Sequence, residues 1–151
     1  MRRALLALLL LGCGHKPLAG ESIAEVCRVE NSDKDVVVSG YLVAPPVAIP
    51  CETSCALVLG TKANEREGGI LTFFPAGTGP NKMAPIRFDD SASFPGEVVQ
   101  VSPTAFVVTD DGGKDLGLGD IVRVSGHLQA HDSGGRIDCS LRATKLTQVT
   151  R

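Results

Sequence analysis

Two segments of this chain alternate along their length and carry a glycine at the same place: Val36-Val-Val-Ser-Gly-Tyr-Leu42 and Val122-Arg-Val-Ser-Gly-His-Leu128. A period of two marks a half-buried strand, because successive side chains of a pleated backbone point to opposite faces. In the first segment Val36, Val38, Gly40 and Leu42 share one face, and Val37, Ser39, Tyr41 and Val43 share the other. In the second, Val122, Val124, Gly126 and Leu128 face inward, with Arg123, Ser125 and His127 outward. A glycine inside a strand weakens it unless the strand must bend sharply there, as it does where a small barrel coils. The pair therefore predicts a strongly coiled sheet. Pro45-Pro46 ends the first strand.

The rest of the chain continues the pattern. Sixteen valines favour a pleated surface over a helix, and no amphipathic helix follows the first dozen residues. Further strand-like runs cover Ala56 to Gly60, Ile70 to Phe74, Ile86 to Phe88, Thr104 to Thr109 and Ile137 to Val149. In the last, Ile137, Cys139, Leu141 and Ala143 fall on the inward phase and Leu146 falls out of it, so a bulge is expected near Thr144-Lys145. Gly68-Gly69, Asp111-Gly112-Gly113 and Asp132-Ser-Gly-Gly135 supply turns. With the Gly117-x-Gly-Asp-x-Val-x-Val-x-Gly126 segment and the first strand, this order resembles the OB-fold. The resemblance covers about two-thirds of the chain after residue 12. It implies an all-β domain over 25–151, a Greek-key barrel of five to six strands. A β-sandwich is the alternative. The helix usual between the third and fourth strands of that fold has no counterpart in Asp89 to Pro103.

Met1-Arg2-Arg3 is a short basic start, and Ala4 to Leu11 is an unbroken apolar run, too short to span a bilayer and right for a secretory signal. It ends in Leu10-Leu11-Gly12-Cys13, which resembles the lipobox of bacterial lipoproteins. The resemblance implies removal of residues 1–12, a diacylglycerol thioether on Cys13, and an acyl chain such as palmitate on its new amino group. Several chains hold a protein on a membrane durably where one does not. Residues 13–24 would be the lipidated cysteine and its tether. Gly14, in place of an aspartate, implies the periplasmic side of an outer membrane in a two-membrane cell. Without residues 1–12 the chain has 13 basic and 17 acidic groups.

Four cysteines then remain, Cys27, Cys51, Cys55 and Cys139, an even number in an exported chain, and two disulfides are expected. Three pairings are open. A local Cys51–Cys55 bridge with a long Cys27–Cys139 bridge is preferred, because the long loop restricts the unfolded chain most. Cys51 and Cys55 as a redox centre is the competing reading, but redox dithiols usually hold two residues between the cysteines at a helix start, and here there are three.

The Gly-rich stretch Pro75 to Met83 is a candidate binding loop, in which Gly77 and Gly79 permit close approach and Asn81 and Lys82 offer donors. The loop after the first strand, Pro45 to Thr53, is a second candidate. His127 and His131 with Asp132 are a candidate metal set, provided the strand bends to bring together residues roughly 13 Å apart when extended. Asp89-Asp90 and Asp110-Asp111 read as turn caps more readily than as catalytic pairs. No GxSxG, HExxH or P-loop occurs, and no cofactor is implied. The acidic balance and six aromatics argue against nucleic acid as a partner. The expectation is a lipid-anchored envelope module, more readily non-catalytic than an enzyme, that binds a protein or glycan. A thiol-redox or other enzyme and a metal-binding module are the alternatives.

Overall fold

In the computed structural model, which describes residues 22–47, 51–86 and 101–150, the two glycine-bearing segments are antiparallel neighbours. β1 (Lys34–Val43) pairs with β7 (Ile121–Asp132) from Lys34↔Leu128 to Tyr41↔Ile121. Each glycine stands opposite a valine of the other strand, in the pairs Val36↔Gly126 and Gly40↔Val122. From Tyr41 to Val43 the other edge of β1 pairs with β2 (Ser54–Gly60), which pairs with β3 (Ile70–Pro75). β3 then lies parallel to β8 (Ile137–Gln148), and β8 returns antiparallel to β7. The ring closes in the order β1-β2-β3-β8-β7. One sheet closed on itself replaces the sandwich alternative.

The glycines do what the barrel requires. A Cβ on Gly40 would lie 2.8 Å from the Gly60 carbonyl oxygen and as close to the Leu59 side chain. One on Gly126 would collide with the Arg142 carbonyl oxygen and come within 3.1 Å of Ala143 Cα. The register shift between Ser125 and Gly126 skips Thr144 on β8, since Ser125 pairs with Lys145 and Gly126 with Ala143. This is the expected bulge, and it restores Leu146 to the inward face, where it is fully buried. The barrel interior holds Val38, Leu42, Leu57, Leu59, Ile70, Phe74, Val122, Val124, Leu128, Leu141 and Leu146, each at most 1% exposed. Their burial is the dominant favourable term in folding.

Several expectations need correction. Ile23–Val26 forms a short helix, α1, with a capping box between Ser22 and Glu25. Ile23 and Val26 enter the core, so Ile23 and Ala24, expected as the end of a tether, belong to a helix packed on the barrel. Asn31 Nδ2 donates to the Glu25 and Val26 carbonyls that end this turn. Ile137 is 42% exposed rather than inward, because the β7–β8 hairpin runs beyond the last β3 partner of β8, Ser140. Ile86 is buried but not in a strand. A second small sheet, β4 (Lys82–Met83), β5 (Val108–Thr109) and β6 (Asp115–Leu116), covers one side of the barrel. Its two-residue strands have no periodicity to detect. Only Val108–Thr109 of the run from Thr104 is strand, after a 3-10 turn at Pro103–Ala105. The segment expected as a signal, Cys13, Phe88, Asp89-Asp90 and 91–100 lie outside the described residues.

The preferred cysteine pairing is present. Cys27 and Cys139 are bonded at 1.98 Å, tying the end of α1 to β8, and Cys51 is bonded to Cys55 at the same distance.

Candidate functional site

Strand alternation sets one outward row across the barrel wall. Thr72 and Phe74 are buried, so Phe73 between them faces out. Leu141 and Ala143 are buried, so Arg142 faces out. Gly126 and Leu128 point inward, so His127 faces out. The pairing registers Phe73↔Arg142, Arg142↔His127 and His127↔Asp35 line these side chains up across four strands. The row runs from an apolar ring through a guanidinium and an imidazole to a carboxylate.

Phe73, Arg142 and His127 line a groove of about 450 Å³, within the range of small-molecule sites. Pro75 extends its apolar side, and Thr53, Ser54, Gln129 and Ser140 add neutral hydrogen-bonding groups. Among the described residues no carboxylate lines it. Asp35 Oδ1 lies 3.3 Å from His127 Nδ1 and Asp33 Oδ1 3.8 Å from Nε2, so both ring nitrogens face carboxylates on the β1 side. Among the described residues no hydrogen bond or ion pair engages the Arg142 guanidinium. Its five donors are thus open to a ligand, and their planar fork suits a carboxylate or phosphate.

A broader depression of about 920 Å³ lies beside α1 and the start of β8, with Leu71 and Ile137 exposed at its edge. Its cations are already used: Arg136 pairs with Asp138 at 3.1 Å, and Arg66 Nε donates to the Ala44 carbonyl at 3.0 Å. The smaller groove is the better-formed recognition site on that ground.

Apart from Pro75, the Gly-rich stretch lies outside this groove and serves the fold. Gly77, Gly79 and Asn81 take positive φ values of 141°, 98° and 60°. Asn81 donates its backbone N–H to the Thr109 carbonyl at 2.9 Å and its Nδ2 to Asp111 Oδ1 at 3.0 Å, and its Oδ1 accepts from the Leu146 N–H at 2.7 Å. It latches the loop to the 110–114 turn and to β8, so the donor expected for a ligand is spent inside the molecule. Asp111 also receives Lys145 Nζ at 2.9 Å. The Asn81 hydrogen bond, then Lys145, hold its carboxyl below the ordinary value. Lys82 is exposed on β4 and outside the groove. Gly77 donates its N–H to the Met83 carbonyl, closing the loop on itself.

The two histidines do not converge. β7 pairs continuously with β8 from His127↔Arg142 to His131↔Asp138, so no bend joins the rings. Among the described residues no group of three or more His, Cys, Asp or Glu side chains could hold a metal ion. Asp110 caps its turn, accepting from the Gly112 and Lys114 amides at 2.9 Å each. Cys51 and Cys55 are 8% and 0% exposed, and Cys51 Sγ accepts from the Ile86 N–H. Of the loop Pro45 to Thr53, the last residue reaches the groove.

Sequence reading missed Phe73, Gln129, Ser140 and Arg142. Alternation marks each as outward, but it does not reveal that β3 and β8 run side by side. That parallel pairing brings Phe73 against Arg142.

No protein-family model matches the chain, and no curated protein matches it. Among solved structures the chain is similar to one assigned as an aspartyl-tRNA synthetase from Leishmania major Friedlin, with a TM-score of 0.47 and 15% identity. The match covers 95% of this chain and 23% of that one. The chain thus spans about a quarter of the length of that neighbour.

Proposed function

We propose that the protein is a lipid-anchored module of a bacterial cell envelope, built on an OB-fold, that holds a protein or glycan partner in the groove around Arg142 without transforming it. The observation that carries this reading is a guanidinium with no partner among the described residues, beside an outward aromatic ring, both on strands fixed from either side. A site on strands is held more rigidly than one on loops, as binding without an induced rearrangement requires. Three consecutive strands, a parallel third-to-last pairing and two coiling glycines support the OB-fold. The lipobox supplies the address, and two disulfides suit an oxidising compartment.

Burial of Cys51 and Cys55 counts against a thiol-redox role, since a cycling pair needs access to its partner thiol. His127 turns both ring nitrogens to carboxylates, and no hydroxyl of the groove hydrogen-bonds to it among the described residues, so no nucleophile and base stand together.

The test is photocrosslinking in cells of the native host from an unnatural side chain at Gln129, inside the groove, and at Lys62, in the turn that follows β2. A discrete envelope adduct from position 129 alone, lost with Phe73→Ala and Arg142→Ala together, is expected. Equal adducts from both positions, or adducts unaffected by those substitutions, would overturn the assignment of the groove.

A further inference from the structure

The groove has a chemical polarity that narrows its ligand. We infer that it takes an anionic sugar unit of a glycan, with the acid group on Arg142 and a ring face over Phe73. The inference rests on the binding role proposed above and specifies its ligand.

Five observations carry it. The guanidinium of Arg142 is open among the described residues and no carboxylate lines the groove, so a single negative charge is complemented there. Asp33 and Asp35 stand beyond His127 and repel the same charge, which fixes the acid toward β3 rather than β1. Phe73, paired across the strands with Arg142, presents a half-buried ring beside the cation, a surface for the C–H face of a sugar. Gln129, Ser140 and Thr53 surround them with neutral donors and acceptors suited to hydroxyls. The volume of about 450 Å³ suits one or two sugar rings.

Other anionic partners fit less well. A single-stranded nucleic acid needs a basic track and several stacking rings, whereas this groove offers one cation and one aromatic beside two carboxylates. An extended peptide is usually captured by adding a strand to a free sheet edge. Here β3 is flanked by β2 and β8, and β8 by β3 and β7, so no edge is free at Phe73 or Arg142.

The full-length protein in detergent is titrated by calorimetry with four probes: a glucuronate-containing tetrasaccharide, its reduced neutral counterpart, a sugar phosphate and a tetraglutamate peptide. An oligothymidylate is a fifth. The acidic tetrasaccharide or the sugar phosphate is expected to bind roughly 10- to 100-fold more tightly than the neutral sugar, the worth of one charged hydrogen-bonding pair. Which of the two binds better identifies carboxylate or phosphate as the acid. Arg142→Ala removes the preference and Arg142→Lys restores it in part, while near-ultraviolet circular dichroism of both variants matches the parent. Equal binding of acidic and neutral sugars, unaffected by Arg142→Ala but lost with Phe73→Ala, would overturn the acid preference and leave a glycan-binding module. Tighter binding of the peptide or the oligothymidylate would overturn the sugar assignment and keep the groove. No binding of any probe, together with no crosslink from position 129, would overturn both readings.

Discussion

Removing the long disulfide should cost far more than removing the short one. Cys27 and Cys139 are 112 residues apart, and closing a loop of that length in the unfolded chain is worth about 4.8 kcal/mol on the chain-entropy model. Cys51 and Cys55 are 4 residues apart, worth about 1.9 kcal/mol on the same model. The short bridge has one further contribution. Its Cys51 sulfur accepts the buried Ile86 N–H at 3.3 Å, and losing that acceptor adds about 1 kcal/mol. The totals are then about 4.8 against about 3 kcal/mol, compared with a whole-domain stability of roughly 5–15 kcal/mol. Paired Cys→Ala variants are made in a Cys13→Ala background and unfolded in urea, with the midpoint and slope both fitted. The Cys27/Cys139 variant should lose more stability and also steepen the slope more, because its unfolded chain expands further. An equal or larger loss from the Cys51/Cys55 variant would refute the loop-closure argument and relocate the stabilisation to local packing.

Gly126→Ala should destabilise the barrel by about 1–3 kcal/mol, since its Cβ meets the Arg142 carbonyl. Gly117→Ala, where nothing lies within 4 Å, should be neutral or stabilising by about 0.4–1 kcal/mol, and urea midpoints of the two variants decide this. Asn81→Ala should cost about 1–3 kcal/mol by orphaning the Leu146 N–H, with amide exchange at Leu146 accelerating first. Asp111 has a folded-state pKa below its ordinary value, held there by Asn81 and Lys145. Its contribution to stability is therefore complete above the ordinary carboxylate range and is lost as pH falls through the lowered pKa. Asp111→Asn should flatten the acid limb of the stability curve and leave its shape near neutrality unchanged, as measured by melting temperature against pH.

What could be read from the chain in advance was what short-range pattern encodes. Val36 to Leu42 and Val122 to Leu128 announced two half-buried strands with a sharp bend at each glycine, and the slip near Thr144 announced the bulge, because period-two alternation reports the face of every residue. The capping box between Ser22 and Glu25 went unread, because a four-residue helix has no hydrophobic period to accompany it. The β4, β5 and β6 strands, of two residues each, were likewise silent. The groove was hidden for a different reason. Phe73, Arg142 and His127 belong to three strands whose adjacency is a property of barrel closure, and no local signal specifies a parallel partner. The Gly77–Lys82 loop has a fold role that the sequence did not disclose. Its positive-φ residues were legible, but the same geometry serves a turn that latches Asn81 to Leu146.

The groove can serve an envelope partner only if the chain reaches the envelope, so the address is the claim on which the others depend. Intact mass of the protein extracted from membranes, taken before and after denaturing reduction with alkylation, tests it directly. The account predicts a chain beginning at a lipid-modified Cys13, in which Cys27, Cys51, Cys55 and Cys139 take up alkylating reagent only after reduction. A chain without lipid at Cys13, or one in which Cys51 and Cys55 alkylate without reduction, would contradict it.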